Sequence, residues 1–248
     1  FFSSFAVLQS HMHHASISKH VGSTYDEIAT KYADAQDSKP WNIYFERPAI
    51  LQFLPDVRGK DVYDAGCGPG FYSHFMMDQG AHVTASDLNP VFVERTRQRV
   101  GQDTQVFQAD LAEPLTFAAD QSFDLVICIL VMHYLEDWRP TLSEFHRILR
   151  PNGELIISTY HPFTDLELSQ TGDYFATELL EDEWEVGKVQ FYRRPLSKIT
   201  QDILLSGFAI SELAEPQPIQ PPADLMAKWY HRSMKTPRRL LVRSRKVS

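Results

Sequence analysis

Residues 62–70 read Val-Tyr-Asp-Ala-Gly-Cys-Gly-Pro-Gly, a short apolar strand running into a glycine turn that opens a helix. No other stretch restricts the chain so much. Glycine is required where the backbone takes positive φ and where a ligand must approach the main chain closely. Free N–H groups at the start of the following helix favour an anionic group of such a ligand. Alone the string is a weak signal, because a strand-to-helix turn with no ligand reads the same way.

The turn belongs to a regular alternation. Lys60–Ala65 reads as a strand, Gly66–Gly70 as the turn, and Phe71–Gln79 as a helix ended by Gly80. Ala81–Ser86 is a second strand closing on Asp87, and Pro90–Val100 is a helix stopped by Gly101. Thr104–Gln108 is a third strand, followed by Ala109-Asp110-Leu111. Phe123–Ile129 is a fourth strand, apolar after Asp124. Thr141–Leu149 is a helix, Pro151-Asn152-Gly153 a tight turn, and Glu154–Thr159 a fifth strand. Such alternation implies right-handed crossovers and a doubly wound, mostly parallel sheet covered on both faces. Upstream, Ser23 or Thr24 caps a helix within 23–36, and a second helix runs from Trp41 to Leu54. After His161-Pro162 the pattern breaks. Residues 163–192 mix aromatics with acids. Pro195–Ser206 then reads as a helix, Ala209–Glu215 and Arg239–Val247 as strands, and Pro216–Pro222 as a loop. Two late strands joined by a loop form a hairpin, so one of them runs antiparallel to the rest.

Three carboxylates sharpen the reading. Asp64 lies two residues before the first glycine, Asp87 follows it by 23 residues, and Asp110 follows by another 23. A carboxylate at Asp64 is unfavourable beside a pyrophosphate and favourable beside a cationic ligand. Asp87 is placed to accept two hydrogen bonds from a ribose diol, and Asp110 one from an exocyclic amine. All three fall at carboxyl ends of parallel strands, where open α/β sheets bind ligands. Capping or turn stabilisation is the alternative for Asp87 and Asp110, credible for each singly and weak for both together.

Asp64-Ala-Gly-Cys-Gly-Pro-Gly70, Ser86-Asp87-Leu88, Gln108-Ala109-Asp110-Leu111, Phe123-Asp124-Leu125-Val126 and Leu149-Arg150-Pro151-Asn152-Gly153-Glu154-Leu155 together resemble the class I S-adenosylmethionine-dependent methyltransferases, small-molecule type with a UbiE-like core. The resemblance covers residues 23 to 247 and implies a Rossmann-like sheet of order 3-2-1-4-5-7-6 with strand 7 antiparallel. It implies S-adenosyl-L-methionine as cofactor. Gly66, Cys67 and Gly68 would line the cofactor site at its methionine part, with Asp64 near the amino group or sulfonium. Asp87 would take the ribose hydroxyls, Leu88 would lie against the adenine, Asp110 would take the adenine amine, and Leu111 would cover the ring. Leu130 would border the methionine portion. Tyr25 and Arg47 would lie near the cofactor, Arg47 being alternatively a surface ion pair with Glu46 or Asp26.

Methyl transfer to a small acceptor needs positioning, desolvation and sometimes a base. His133, after strand four, and His161, after strand five, are the candidate catalytic bases; the alternative for His133 is a helix-start residue without a catalytic role. The place after strand four reads Ile129-Leu130-Val131-Met132, which lacks the Asn/Asp-Pro-Pro-Tyr/Phe string of enzymes that methylate nucleobase amines. The aromatic, acidic stretch 163–192 is expected to be a lid. Tyr160, Phe163, Tyr174, Phe175, Trp184, Phe191 and Tyr192 would wall the acceptor, unless they simply cover the sheet. The acids suit a small neutral or cationic acceptor. A catalytically silent cofactor-binding module, or a nicotinamide-dependent oxidoreductase on a similar sheet, are the rival functions.

Composition bounds the rest. The 248 residues are 43% apolar and 23% charged, which fits one domain over 21–248. The formal net charge of −8 disfavours nucleic acid as a partner. No apolar run approaches the roughly 20 residues of a membrane span. A cytoplasmic monomer or homodimer is the expectation. Cys67 and Cys128 make neither a disulfide framework nor a cysteine zinc site, and no metal site is expected. Residues 228–248 carry eight basic residues and no acid. They read as a final strand with a cationic solvent face, with a phosphate or membrane contact as the alternative. Residues 1–20, which hold four of the ten histidines, read as disordered or left over from cloning, with metal binding as the alternative.

Overall fold

The computed structural model describes residues 33, 36–184, 187–223 and 228–247. Residues 1–20 and Tyr25 lie outside the described residues, as does most of the expected helix within 23–36. The strands in chain order are β1 (Asp61–Ala65), β2 (His82–Asp87), β3 (Gln105–Gln108), β4 (Phe123–Ile129), β5 (Leu149–Tyr160), β6 (Glu178–Trp184), β7 (Gly187–Arg193), β8 (Phe208–Ala214) and β9 (Arg239–Lys246). The main helices are α1 (Arg47–Phe53), α2 (Phe71–Asp78), α3 (Pro90–Val100), α4 (Arg139–Ile148) and α5 (Leu196–Leu205).

Seven strands form one sheet in the order β3-β2-β1-β4-β5-β9-β8. The pairs from β3 through β5 are parallel, and β9 runs antiparallel to both β5 and β8. This is the doubly wound, mostly parallel sheet with a late reversed strand that the sequence pattern implied. Leu125–Ile129 of β4 and Leu155–Ile157 of β5, at the centre of the sheet, are wholly apolar and buried because both faces are covered there. Successive residues alternate between two cores. Tyr63, Val126, Ile157, Leu240 and Val242 pack with Leu142 and Phe145 of α4 and Ile203 of α5. Val62, Leu125, Ile127, Ile156 and Leu241 pack with Ile50 of α1 and Met76 of α2 on the other face. Each such fully buried side chain contributes roughly 1.5–3 kcal/mol.

Local signals set the helix ends that matter for the site. The Asn89 side chain accepts from the N–H groups of Val91 (2.8 Å) and Phe92 (3.3 Å), with Pro90 at the first helical position. This caps α3 and fixes the chain just beyond Asp87. The α1 helix continues directly from a π-helical turn, Asn42–Glu46.

Two elements differ from the sequence expectation. The turn at Pro151–Gly153 is taken up inside β5, which begins already at Leu149: Phe123 pairs with Leu149 and Leu125 with Glu154, so the four residues between bulge out, with Asn152 at φ 63°. In the broken stretch, β6 and β7 form a separate antiparallel hairpin, paired from Glu178↔Arg193 to Trp184↔Gly187. Leu180, Val189 and Phe191 of this hairpin are buried against Tyr134 and Tyr160. Its base is pinned by Arg193, fully buried, which donates to the carbonyls of Asp173 (2.6 Å), Tyr174 (2.9 Å) and Ala176 (2.9 Å). No helix among the described residues is long and apolar enough to cross a membrane.

Candidate active site

The glycine turn lies at the carboxyl edge of β1. Gly66, Gly68 and Gly70 all take positive φ, at 76°, 54° and 81°. At Gly66 a Cβ would stand 2.3 Å from Cγ2 of Val131, so the chain crosses the β4 loop too closely for any side chain. At Gly68 a Cβ would meet nothing within 4 Å, which leaves the main chain open to a ligand there.

The backbone donors of this turn are already engaged. The N–H groups of Gly66 and Cys67 both donate to the carbonyl of Ser86, at 2.8 and 2.9 Å. The Gly68 N–H donates to Oδ2 of Asp87 at 2.9 Å, and the Gly70 N–H to the carbonyl of Cys67 at 3.0 Å. Asp64 is buried beneath the turn, where Oδ2 accepts the Ser73 hydroxyl at 2.6 Å and the carboxylate also accepts the Ser73 backbone N–H. A carboxylate of the chain itself thus occupies the first turn of α2, where an anionic ligand group was anticipated. A pyrophosphate would find no free N–H between Gly66 and Gly70 and would face two carboxylates, which speaks against a dinucleotide.

Nine of the expected cofactor residues line one cavity: Arg47, Gly66, Cys67, Gly68, Asp87, Leu88, Asp110, Leu111 and Leu130. Asp64 does not line it, so any role of its carboxylate there is indirect, through the turn it supports. Asp87, half-buried, accepts from the Gly68 and Asn89 N–H groups through separate oxygens, each at 2.9 Å. Burial pushes its carboxyl up to about 6 and that of Asp64 up to about 7, the two carboxylates also repelling each other. Asp110 accepts from the Ala112 N–H through Oδ1 at 2.9 Å, so it both holds its turn and faces the cavity. Arg47 packs over the Phe71 ring at 3.7 Å and pairs with Asp37 at 2.7 Å, not with Glu46. Leu130 holds φ at 57°, an unfavourable conformation for a branched residue that costs about 1–2 kcal/mol and turns the chain sharply at the end of β4. Cys67 is buried beside Thr96, and burial pushes its thiol well up; Cys128 is buried within β4.

A second cavity adjoins the first. Gln36, Asn42, Glu46 and Leu130 line both. The second is walled by Trp41, Tyr160, Phe191 and Trp229 and also bordered by Asp165 and Arg239. Of the seven aromatics expected to wall an acceptor, Tyr160 and Phe191 line this second cavity. Phe163 and Phe175 are exposed, the Tyr174 hydroxyl accepts from the Leu196 N–H, and the Tyr192 hydroxyl reaches Glu136. Nothing in the sequence pattern marked Trp41, Glu46, Trp229 or Arg239 for this place, because only tertiary packing brings these distant segments together.

Neither candidate base lines either cavity. His133 is buried behind Tyr160, stacked on it at 4.2 Å and tilted against Tyr134 at 4.3 Å. Burial, with the positive Arg239 and Arg194 nearby, holds it neutral, and its ring nitrogens have no hydrogen-bond partner among the described residues. His161 caps the short helix Pro162–Asp165 through Nδ1 and meets Glu215 through Nε2 at 2.6 Å. The structure brings neither candidate base to a cavity: His133 is a packing residue, and His161 caps its helix and hydrogen-bonds to Glu215, burial disfavouring its charged form. Among the described residues, no group of three or more His, Cys, Asp or Glu is placed to hold a metal ion.

The sheet order, the glycine turn whose donors are internally bonded, and the Asp87 carboxylate after β2 meet around one cavity. The family described as "Methyltransferase domain" matches residues 63–157. The chain is 33% identical over 173 residues to a malonyl-[acyl-carrier protein] O-methyltransferase of Enterobacter lignolyticus, covering 68% of this chain and 63% of that one. It is 28% identical over 196 residues to an uncharacterized protein of Haemophilus influenzae, covering 71% and 77%. An S-adenosylmethionine-dependent methyltransferase of Mesorhizobium loti superposes with a TM-score of 0.69 at 28% identity, over 81% of this chain and 97% of that one. The N-methyltransferase NodS of Bradyrhizobium japonicum, solved with S-adenosyl-L-homocysteine, gives 0.60 at 20%, over 91% and 99%. The chain spans about half to three-quarters of the length of the curated relatives it matches. Residues 63–157 carry a methyltransferase domain, and the fold is that of the class I S-adenosylmethionine-dependent methyltransferases, whose cofactor is S-adenosylmethionine.

Proposed function

We propose that the chain transfers a methyl group from S-adenosylmethionine in the first cavity to a small-molecule acceptor in the second. The observation that carries this reading is the shared wall of Gln36, Asn42, Glu46 and Leu130, across which the two cavities meet. The cofactor supplies a methyl already activated on a sulfonium. The chain's own residues bind and orient. Asp87 accepts the ribose hydroxyls with the oxygen lone pairs that Gly68 and Asn89 leave free. Leu88 and Leu111 cover the adenine, Asp110 takes its amine, and Gly66 and Gly68 border the methionine part. Leu130 holds the boundary at which acceptor meets methyl, and the apolar walls exclude water there.

Similarity to relatives named malonyl-[acyl-carrier protein] and ubiquinone O-methyltransferases supports an oxygen atom as the methylated site. The β6–β7 hairpin serves as the acceptor-side cover, fixed at its Arg193 base, and residues 21–248 act as one domain. Calorimetry with S-adenosylhomocysteine, followed by methyl-transfer assays on phenols, carboxylic acids and amines, tests the reading. Binding with turnover of one acceptor class is expected. Binding without turnover on any class would make the chain a silent cofactor-binding module.

A further inference from the structure

The second cavity contains a charge that neither the acidic stretch nor the overall net charge leads one to expect. Arg239, the first residue of β9, pairs in register with Tyr160 of β5 and is 9% exposed. Its guanidinium carbon lies 4.8 Å from the Tyr160 ring centre and 5.1 Å from that of Trp41. One terminal nitrogen donates to the Arg238 carbonyl at 3.1 Å, and the other reaches Glu46 at a long 3.4 Å. Nε is buried and has no partner among the described residues. Glu46 is a poor counter-ion, since burial raises its own carboxyl toward the neutral form. A buried guanidinium held by aromatic faces, one backbone carbonyl and one stretched carboxylate contact lacks the full pairing that buried charges normally require.

We propose that the acceptor carries one carboxylate on an apolar or aromatic body, and that Arg239 holds this carboxylate in the second cavity. The inference rests on the methyltransferase reading above. The planar fork of a guanidinium matches a carboxylate in two parallel hydrogen bonds. Trp41, Tyr160, Phe191 and Trp229 receive the body. The surrounding charges are mixed. Glu46, Asp165, Glu167, Asp182 and Glu183 stand around the same cavity with Lys39, Arg232, Arg238 and Arg239, Glu167 being paired with Arg232, and Asp165 is raised to about 7 by burial. With five acids against four bases, a second negative charge gains no net attraction, and Arg239 would disfavour an amine. The neutral or cationic acceptor suggested by the acids of 163–192 is therefore replaced by a monocarboxylate.

The test uses the full chain saturated with S-adenosylhomocysteine and titrated by calorimetry with benzoate, phenylacetate and hexanoate, each against its uncharged amide and against phenylphosphonate. At least one acid should bind about tenfold to a hundredfold tighter than its amide, the range of a charge-assisted hydrogen bond, and phenylphosphonate should bind more weakly than benzoate. Arg239→Met should remove that preference while S-adenosylhomocysteine affinity stays within twofold, and Arg239→Lys should restore part of it. In the wild-type protein the Arg239 Nε–H resonance should shift with the acid and not with the amide, which decides the matter even where a variant does not fold. Equal binding of acids and amides, no binding of any acid at millimolar concentration, or an unchanged preference in Arg239→Met would overturn the proposal. Failure of S-adenosylhomocysteine to bind would instead strike the methyltransferase reading itself.

Discussion

Replacing Asp87 by alanine removes the one carboxylate that faces the cofactor cavity from the end of β2. Its two oxygens each hold a backbone N–H at 2.9 Å, from Gly68 and from Asn89, and each keeps a lone pair for a ribose hydroxyl. Hydrogen bonds to a charged group contribute about 1.5–3 kcal/mol net, so S-adenosylhomocysteine affinity at pH 8 should fall about tenfold to 150-fold by calorimetry. Asp87→Asn keeps one acceptor oxygen but turns an amide N–H₂ toward one of the backbone donors, and should fall between the two. The wild type adds a pH signature. With the carboxyl raised to about 6 in the free protein, and with ribose hydroxyls donating to its ionised form, affinity is full above that value. It weakens as pH falls through it, by up to about tenfold per unit. Asp87→Asn should be flat over the same interval. An Asp87→Ala protein that binds within twofold of wild type, or a wild-type profile without a decline on acidification, would show that this carboxylate only braces the turn.

Four further outcomes are expected. Gly66→Ala must place a Cβ 2.3 Å from Val131 at φ 76°; strain and overpacking together predict about 2–5 kcal/mol lost in urea unfolding, part of it recovered in Gly66→Ala/Val131→Ala, and no recovery would discount the clash. His133→Phe removes two buried, unpartnered ring nitrogens and should leave turnover within a few fold; a loss beyond a hundredfold would return His133 to the chemistry. The free protein should gain about 1 kcal/mol between pH 8 and 6.5. Asp64 and Asp165, both raised to about 7, take up protons in the folded state over that interval while the unfolded chain does not, so their penalty fades as pH falls; a urea midpoint that drops instead would contradict the burial of these charges. Amide exchange in the β6–β7 hairpin should slow when S-adenosylhomocysteine and acceptor are both present, and protection equal to that of β4 without ligand would make it a fixed wall.

The parallel half of the fold was legible because each strand announces itself in one local window, and all but β4 are closed by a nearby Gly, Asp or Pro. Leu125–Ile129 is apolar on both faces, which only a covered sheet explains. The cofactor crevice was legible for the same reason: Gly66, Asp87 and Asp110 are all set at strand ends, so knowing the strands places the residues. The acceptor side follows different physics. Trp41 and Glu46, Tyr160, and Arg239 come from three separate segments and meet only through tertiary packing, so no spacing in the chain reports them. The β6–β7 hairpin was hidden because its inward residues include Arg193, a charge that reads as surface and is satisfied by three backbone carbonyls. The histidines misled for the opposite reason. Their positions after β4 and β5 were read correctly, but His133 turns behind Tyr160, and His161 turns to its own helix and Glu215.

The central claim is that the cavity beside the glycine turn takes the adenosyl cofactor of methyl transfer. A side-by-side calorimetric titration of the full chain with S-adenosylhomocysteine and with NADH tests it most directly. The internally bonded N–H groups of Gly66 to Gly70 and the Asp64 and Asp87 carboxylates predict one micromolar-range site for S-adenosylhomocysteine and no saturable binding of NADH. Saturable binding of NADH, with none of S-adenosylhomocysteine, would contradict the account.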